Sequence, residues 1–287
     1  MRRASARRWV RGYVKGGTVR TIAVVNHKGG VGKTTISLSL AVGLAARLRK
    51  GRRLLVVDGD SQGNATTTLL DGKAPNKPTL TQILLDDVKT SDAIRPSRYP
   101  GIDLLPADSS LADCTAWLAD QIGREQRLRS ALANVGDPYD FIIVDSPPAM
   151  SLITVNVLQA VDELLVPVDA GAYAMMGVAK LQETVDKIRR HLSHPDLAII
   201  GVVLTRAMAN RASRELEAQL RATYGKLVYA TVIPYAWQVE LAAAQHRTVL
   251  EYAPKSSAAV KFEALITEVV GKNGRKRKTG PNGQNAA

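Results

Sequence analysis

The side chains best placed to do chemistry in this 287-residue chain gather at three points. Lys28, Lys33, Thr34 and Thr35 punctuate a glycine run, Asn26-His27-Lys28-Gly29-Gly30-Val31-Gly32-Lys33-Thr34-Thr35. Asp58 and Asp60 open Asp58-Gly59-Asp60-Ser61-Gln62-Gly63-Asn64-Ala65-Thr66, and Asp145 stands before Ser146-Pro147-Pro148. Lysines among glycines suit a phosphate, because backbone without Cβ lets successive N–H groups converge on one anion. A hydroxyl with carboxylates suits a hard divalent cation. Together they predict a nucleoside triphosphate held with Mg²⁺. Transfer of its terminal phosphoryl group needs positioning and charge neutralisation more than a strong base.

Those residues need elements that carry them to one place. The glycine run follows a β-branched strand, Thr21-Ile22-Ala23-Val24-Val25, and precedes an apolar-periodic helix from Ile36 to Leu48. A loop between strand and helix puts the anion at the positive end of the helix dipole. There Gly29, Gly30, Val31, Gly32, Lys33, Thr34 and Thr35 would cradle phosphates, with Lys33 reaching the β/γ-phosphates and Thr34 ligating Mg²⁺. The usual pattern G-x-x-x-x-G-K-[ST] would start with glycine at His27, so the strict motif fails, and a second lysine, Lys28, precedes the glycines. A further strand, Arg53-Leu54-Leu55-Val56-Val57, delivers Asp58 to its carboxyl end, and Phe141-Ile142-Ile143-Val144 delivers Asp145. The alternative for Asp145 is a strand-end helix cap, and the glycine loop with Ser146-Pro147-Pro148 favours a place in the Mg²⁺ shell; the alternative for Asp58 and Asp60 is a turn, against which Gln62-Gly63-Asn64 argues.

More strands are expected at Ile102–Leu105, Glu163–Val168, Ala198–Leu204 and Val228–Ile233, with helices between nearly all of them. Short apolar strands alternating with amphipathic helices predict an α/β fold: one doubly wound, mostly parallel sheet with helices on both faces and ligands at the carboxyl strand ends. Residues 71–100, rich in proline and polar residues, read as a looser surface region around a short helix near Leu80 to Leu85. His191 and His194 read as C-terminal helix charges rather than metal ligands, and Cys114 as core packing.

The formal charge of +13 is unevenly placed. Residues 1–20 carry seven Lys/Arg and no acid, and residues 271–287 carry five and no acid, leaving 27 basic against 26 acidic residues between them. The expected organisation is therefore a basic arm (1–20), a folded domain (21–270) and a basic, unstructured tail (271–287). Such tails bind polyanions by counterion release without regard to sequence. One cysteine excludes an internal disulfide and a cysteine-only metal cage within one chain. No run of 18 apolar residues is present, so no transmembrane helix is expected.

The variant K-G-G-x-G-K-[ST], carried here by Lys28 to Thr34, resembles the deviant Walker A box of the ParA/MinD group of ATPases, nearest the ParA/Soj partition proteins. Phe141–Asp145 resembles the Walker B strand, Asp145-Ser146-Pro147-Pro148 the family's D-x-P-P switch II, and Asp58 to Thr66 its switch I, with Ser61 where proline is more usual. The likeness extends to about residue 269 through Thr154-Val155-Asn156, Leu165-Val166-Pro167-Val168 and Val232-Ile233-Pro234. It implies a slow, partner-stimulated, Mg²⁺-dependent ATPase in which Asp60 orients the attacking water and Asp58 and Asp145 support the Mg²⁺ shell. It also implies that Lys28 crosses to the phosphates of a partner subunit, and that Pro234 lies against adenine.

Relatives often carry asparagine where Ala236 stands, and those that bind DNA place arginines around the segment that Tyr235, Trp237 and Gln238 occupy here; Arg206, Arg211, Arg214, Lys255 and Lys261 are candidates to supply part of that surface. The implied partners are non-specific DNA, a second copy in an ATP homodimer, and a ParB-like or other cargo adaptor that stimulates hydrolysis. The implied place is the cytoplasm, on the nucleoid, with no stable membrane insertion. With about 20 residues before the first strand, an operator-binding helix-turn-helix subtype is not expected. The alternatives are a MinD-like membrane-surface ATPase, against which the polar Arg275–Pro281 segment argues, and a nucleotide-binding switch with negligible turnover. Related iron–sulfur reductases need more than one cysteine.

Overall fold

Strands with apolar residues on both faces can be buried only in a sheet covered on both sides. In the computed structural model, which describes residues 19–271 except 86, 87, 134, 136 and 172, the strands are β1 (Arg20–Val24), β2 (Arg53–Asp58), β3 (Arg95–Pro96), β4 (Ile102–Leu105), β5 (Tyr139–Asp145), β6 (Glu163–Asp169) and β7 (Ala198–Thr205). They form one seven-stranded sheet in the order β3-β4-β2-β5-β1-β6-β7. Every pairing is parallel except that of the two-residue edge strand β3 with β4. The basic arm and tail lie outside the described residues, apart from Val19, Arg20 and Gly271. Arg20 itself belongs to β1, where its Nε donates to Glu163 Oε2 at 2.6 Å.

The helices of eight or more residues are α1 (Lys33–Ala45), α2 (Leu152–Ala160), α3 (Ala174–His191), α4 (Arg211–Tyr224), α5 (Trp237–Ala244) and α6 (Ser257–Gly271). Alternate residues of each central strand feed opposite cores. Ala23, Leu55, Val57, Ile142 and Val144 pack in the core that holds Val157 of α2 and Leu181 of α3. Ile22, Val24, Leu54, Val56 and Ile143 pack in the core that holds Leu40 of α1 and Phe262 of α6. The side-chain period of 2 thus meets a helix layer on each face. Strand order changes direction at β1, which leaves a crevice at its carboxyl end, where the glycine run begins.

Two expectations are corrected. Val228–Ile233 is not a strand: it follows β7 only through an isolated bridge at Val202–Val228 and backbone bonds such as Ile233 N to Leu204 O at 2.9 Å. The physical reason is Glu268 of α6, whose carboxylate accepts the Ala230 and Thr231 N–H groups at 2.9 and 2.8 Å and so interrupts the ladder. His194 is not part of a helix C-terminus either. It lies beyond the end of α3, is 3% exposed, and its Nε2 bonds Val161 O at 2.7 Å. Cys114 is buried, as expected, and burial pushes its thiol up to about 11.

Candidate functional site

The loop between β1 and α1 is built for an anion. Gly30 and Gly32 have φ of 74° and 86°, in the left-handed region that a Cβ disfavours, so the chain makes there a turn that glycine alone adopts without strain. Gly32 caps α1 with no side-chain bond to the cap, and the first turn of the helix holds no acid. The first-turn N–H groups are therefore not taken up by a capping side chain and face an approaching phosphate with the helix dipole behind them. Lys33 is 7% exposed, and its Nζ donates to Lys28 O at 3.0 Å, curled over the loop it serves. Burial lowers its pKa, and Asp145 and Asp60 oppose that shift.

The sheet register sets the carboxylates side by side. Asp58 pairs with Asp145 across β2 and β5, and Val24 pairs with Asp145 across β1 and β5. Both carboxyls are 0% exposed. Burial, then repulsion from Asp58, pushes Asp145 up to about 7; burial is also the main cause that pushes Asp58 up to about 6. Their hydrogen bonding differs. Asp58 Oδ1 accepts the Asp60 N–H at 3.1 Å, and its Oδ2 accepts both the N–H and the hydroxyl of Thr66 at 2.7 Å. Asp145 Oδ1 accepts from Ser37 Oγ at 2.9 Å, while its Oδ2 is buried with no partner among the described residues.

That orphaned oxygen, two adjoining carboxylates and the Thr34 hydroxyl against Asp145 form an all-oxygen donor set for a small divalent cation. A cation there would relieve the mutual repulsion, and Mg²⁺ commonly takes one or two carboxylates with phosphate and water filling its remaining positions. Asp145 is the residue with an oxygen to offer, whereas Asp58 is tied into the loop that carries Asp60. Asp60 accepts the Gln62 N–H at 3.0 Å and lines the cleft beside Pro148.

The cleft has a volume of about 310 Å³ and is lined by Gly29, Lys33 and Thr35 of the phosphate loop and by Ile233, Pro234 and Ala236 beyond β7. Away from the loop its lining mixes apolar Ile233, Pro234, Val239 and Phe262 with charged Arg206 and Glu240. Arg206 is among the lining residues: its Nη1 donates to Glu240 Oε1 at 2.8 Å, and its guanidinium lies 5.5 Å from the centre of the Tyr235 ring. It is thus a cleft residue. Arg211 pairs with Glu215 at 2.6 Å, and Arg214, Lys255 and Lys261 are exposed. Lys28 does not line the cleft. Its Nζ bonds Asp169 Oδ1 and Oδ2 at 2.9 and 2.7 Å.

Four residues at the site escape a reading of the sequence. Ser37 and Thr66 hold the two aspartates. Thr205 at the end of β7 donates its hydroxyl toward Val31 O at 2.9 Å and Val168 O at 3.2 Å, pinning the phosphate loop to the sheet. Asp169 holds Lys28. For Asp169 a signal was present, since it ends an apolar strand as Asp58 and Asp145 do; hydroxyls within helices carry no such signal.

Comparison with known proteins agrees with this geometry. A family model described as an AAA domain matches residues 19–199. The chain is 38% identical to the sporulation initiation inhibitor protein Soj of Bacillus subtilis over 87% of its own length and 98% of that protein. It is 35% identical to the chromosome partitioning protein ParA of Caulobacter vibrioides over 88% and 94%. Among solved structures it is similar to a cobyrinic acid a,c-diamide synthase from Mycobacterium smegmatis with a bound ATP analogue and magnesium. That likeness has a TM-score of 0.74 and 31% identity over 88% of this chain and 95% of the other.

Proposed function

The chain belongs to the ParA/Soj family of partitioning ATPases, and from that premise we propose that it binds ATP with Mg²⁺, pairs with a second copy, holds DNA without sequence preference and releases it on hydrolysis. In this reading a ParB-like or other adaptor stimulates the hydrolysis, and the cargo is a plasmid, a chromosome or a protein assembly. The protein works in the cytoplasm on the nucleoid.

The observation that most supports it is the joining of a phosphate loop, a cation-ready Asp145 and a lining that includes Ile233, Pro234 and Phe262 in one cleft, with Lys28 bonded to Asp169 and not among the lining residues. When bound, Mg²⁺ would neutralise charge on the terminal phosphates, held through Asp145 and Thr34 with Asp58 behind them. Lys33, over the loop, would stabilise the same charge, and Asp60 would orient water at the open side. Lys28 is held by Asp169 in this conformation and does not line its own cleft, which favours its use on the phosphates of a second subunit. A cation supplied in trans makes turnover depend on pairing.

The test is steady-state ATPase activity against protein concentration, with and without DNA, alongside DNA binding in ATP and in ADP. The expected result is slow turnover that rises with concentration and DNA binding that requires ATP. Turnover per chain independent of concentration, or equal DNA binding in both nucleotides, would remove the pairing step.

A further inference from the structure

Lys28 has a counter-ion within its own chain, and the seat is elaborate. Both Asp169 oxygens bond its Nζ. Gly171 leaves room for the ammonium: a Cβ built there would stand 2.8 Å from Lys28 Nζ. The approach of the two segments is fixed from below, since Asn26 donates its Nδ2 to Pro167 O at 2.6 Å while its Oδ1 accepts the Lys28 N–H at 3.0 Å. The buried Asn26 side chain thus ties Lys28 to Pro167, two residues before Asp169, and brings the lysine and the carboxylate to the same place. Tyr173 and Met176, at the start of α3 just beyond Asp169, are 73% and 67% exposed, which leaves apolar surface uncovered beside the pair.

We propose that Asp169 is a positioning residue that latches Lys28 inside its own subunit, and that nucleotide-driven pairing of two copies must draw the lysine off this carboxylate. The proposal rests on the reading above in which Lys28 acts across the pair. Its physical basis is competition. In the single chain Lys28 faces one carboxylate, and the pair is half open to water, with side chains 48% and 22% exposed. In the paired state it would face a triphosphate carrying several negative charges in a site closed to water, which attracts it more strongly. ADP, which lacks the γ-phosphate, offers less charge to offset the loss of Asp169, and an empty site offers none, so the latch disfavours pairing of the empty or ADP-bound chain. It also tunes the concentration at which ATP pairs the chains.

Pairing breaks two such ion pairs, one per subunit. Exposed pairs of this kind contribute about 0.2–1 kcal/mol each, so Asp169→Asn should tighten the ATP-bound dimer about 2- to 30-fold by sedimentation. The Asp169→Glu protein should stay near the parent. Salt screens the pair, so the advantage of Asp169→Asn should shrink toward one as ionic strength rises.

A reporter in the unpaired state separates a latch from a merely structural change. Acylation of Lys28 by a small amine-reactive ester, read by mass spectrometry in ADP, should rise several-fold in Asp169→Asn and not in Asp169→Glu. General repulsion between Asp169 and the partner's phosphates would also be relieved by Asp169→Asn, but it would persist when Lys28 is replaced. The Lys28→Met, Asp169→Asn double variant should therefore pair no more tightly than Lys28→Met alone. A tightening that survives in the Lys28→Met background, or unchanged pairing and labelling in Asp169→Asn, would overturn the latch while leaving the trans reading intact. Unimpaired ATP-dependent pairing and turnover in Lys28→Met would overturn the trans reading and the latch with it.

Discussion

Replacing Thr66 by valine keeps the shape of the side chain and removes one oxygen that two buried groups share. That oxygen donates to Asp58 Oδ2 at 2.7 Å and accepts the Ala107 N–H at 3.0 Å, and both Thr66 and Asp58 are buried to within 1% of completely. A hydrogen bond to a charged group contributes about 1.5–3 kcal/mol, and a buried N–H left without an acceptor costs about 1–3 kcal/mol. Because no cavity opens, the expected loss of stability is about 3–5 kcal/mol at pH 8, a large share of the stability of a typical domain.

The loss should depend on pH. Burial raises Asp58 from 3.8 to about 6 in the folded protein, and the Thr66 hydroxyl is one of the groups that holds it from going higher. A carboxyl whose folded pKa lies above its unfolded value binds its proton more tightly when folded, so stability falls as pH rises from about 4 through 6. Thr66→Val raises the folded pKa further, so its penalty is smallest at pH 5, where Asp58 is protonated in the fold, and grows toward pH 8. Urea unfolding without nucleotide at pH 5, 6, 7 and 8 measures this, with Thr66→Ser as the variant that restores the oxygen. Equal unfolding midpoints for Thr66→Val and the parent at pH 8, or a difference that does not grow with pH, would refute the argument.

Lys33→Ala should weaken ATP binding roughly 30-fold or more, since truncating one partner of a buried charge pair costs about 2–5 kcal/mol; calorimetry giving the parent's affinity would remove Lys33 from the phosphate site. Asp60→Ala should bind ATP and pair but turn over about a hundredfold more slowly or worse, because only the group that orients water is lost; single-turnover assays at the parent's rate would exclude it. Deleting residues 1–18 and 272–287 should flatten the fall of DNA affinity with salt, by about 0.9 in the logarithmic slope for each DNA phosphate that the tails neutralise, and should leave DNA-free ATPase activity near the parent's. An unchanged slope in ATP would return DNA binding to the folded surface.

The glycine run between a β-branched strand and a helix, and aspartates closing apolar strands, are local patterns, and each landed where its pattern placed it: Gly30 and Gly32 turn with positive φ, and Asp58 and Asp145 meet at neighbouring strand ends. Such features are legible because the strand period and the turn requirements of glycine act over a few residues. What the sequence could not carry is the choice among partners far along the chain. Lys28 and Asp169 are 141 residues apart. Glu268 takes the N–H groups of Ala230 and Thr231, so a run with strand composition is left as an irregular edge. Asp58 and Asp145 look alike in sequence, and only packing gives Thr66 to one and leaves an oxygen of the other without a partner among the described residues. Likewise His194 follows a basic helix end, yet burial and one carbonyl decide its place. Composition and period determine which face of an element is buried; which polar group completes another depends on distances that exist only once the sheet has set its order and the helices have closed over it.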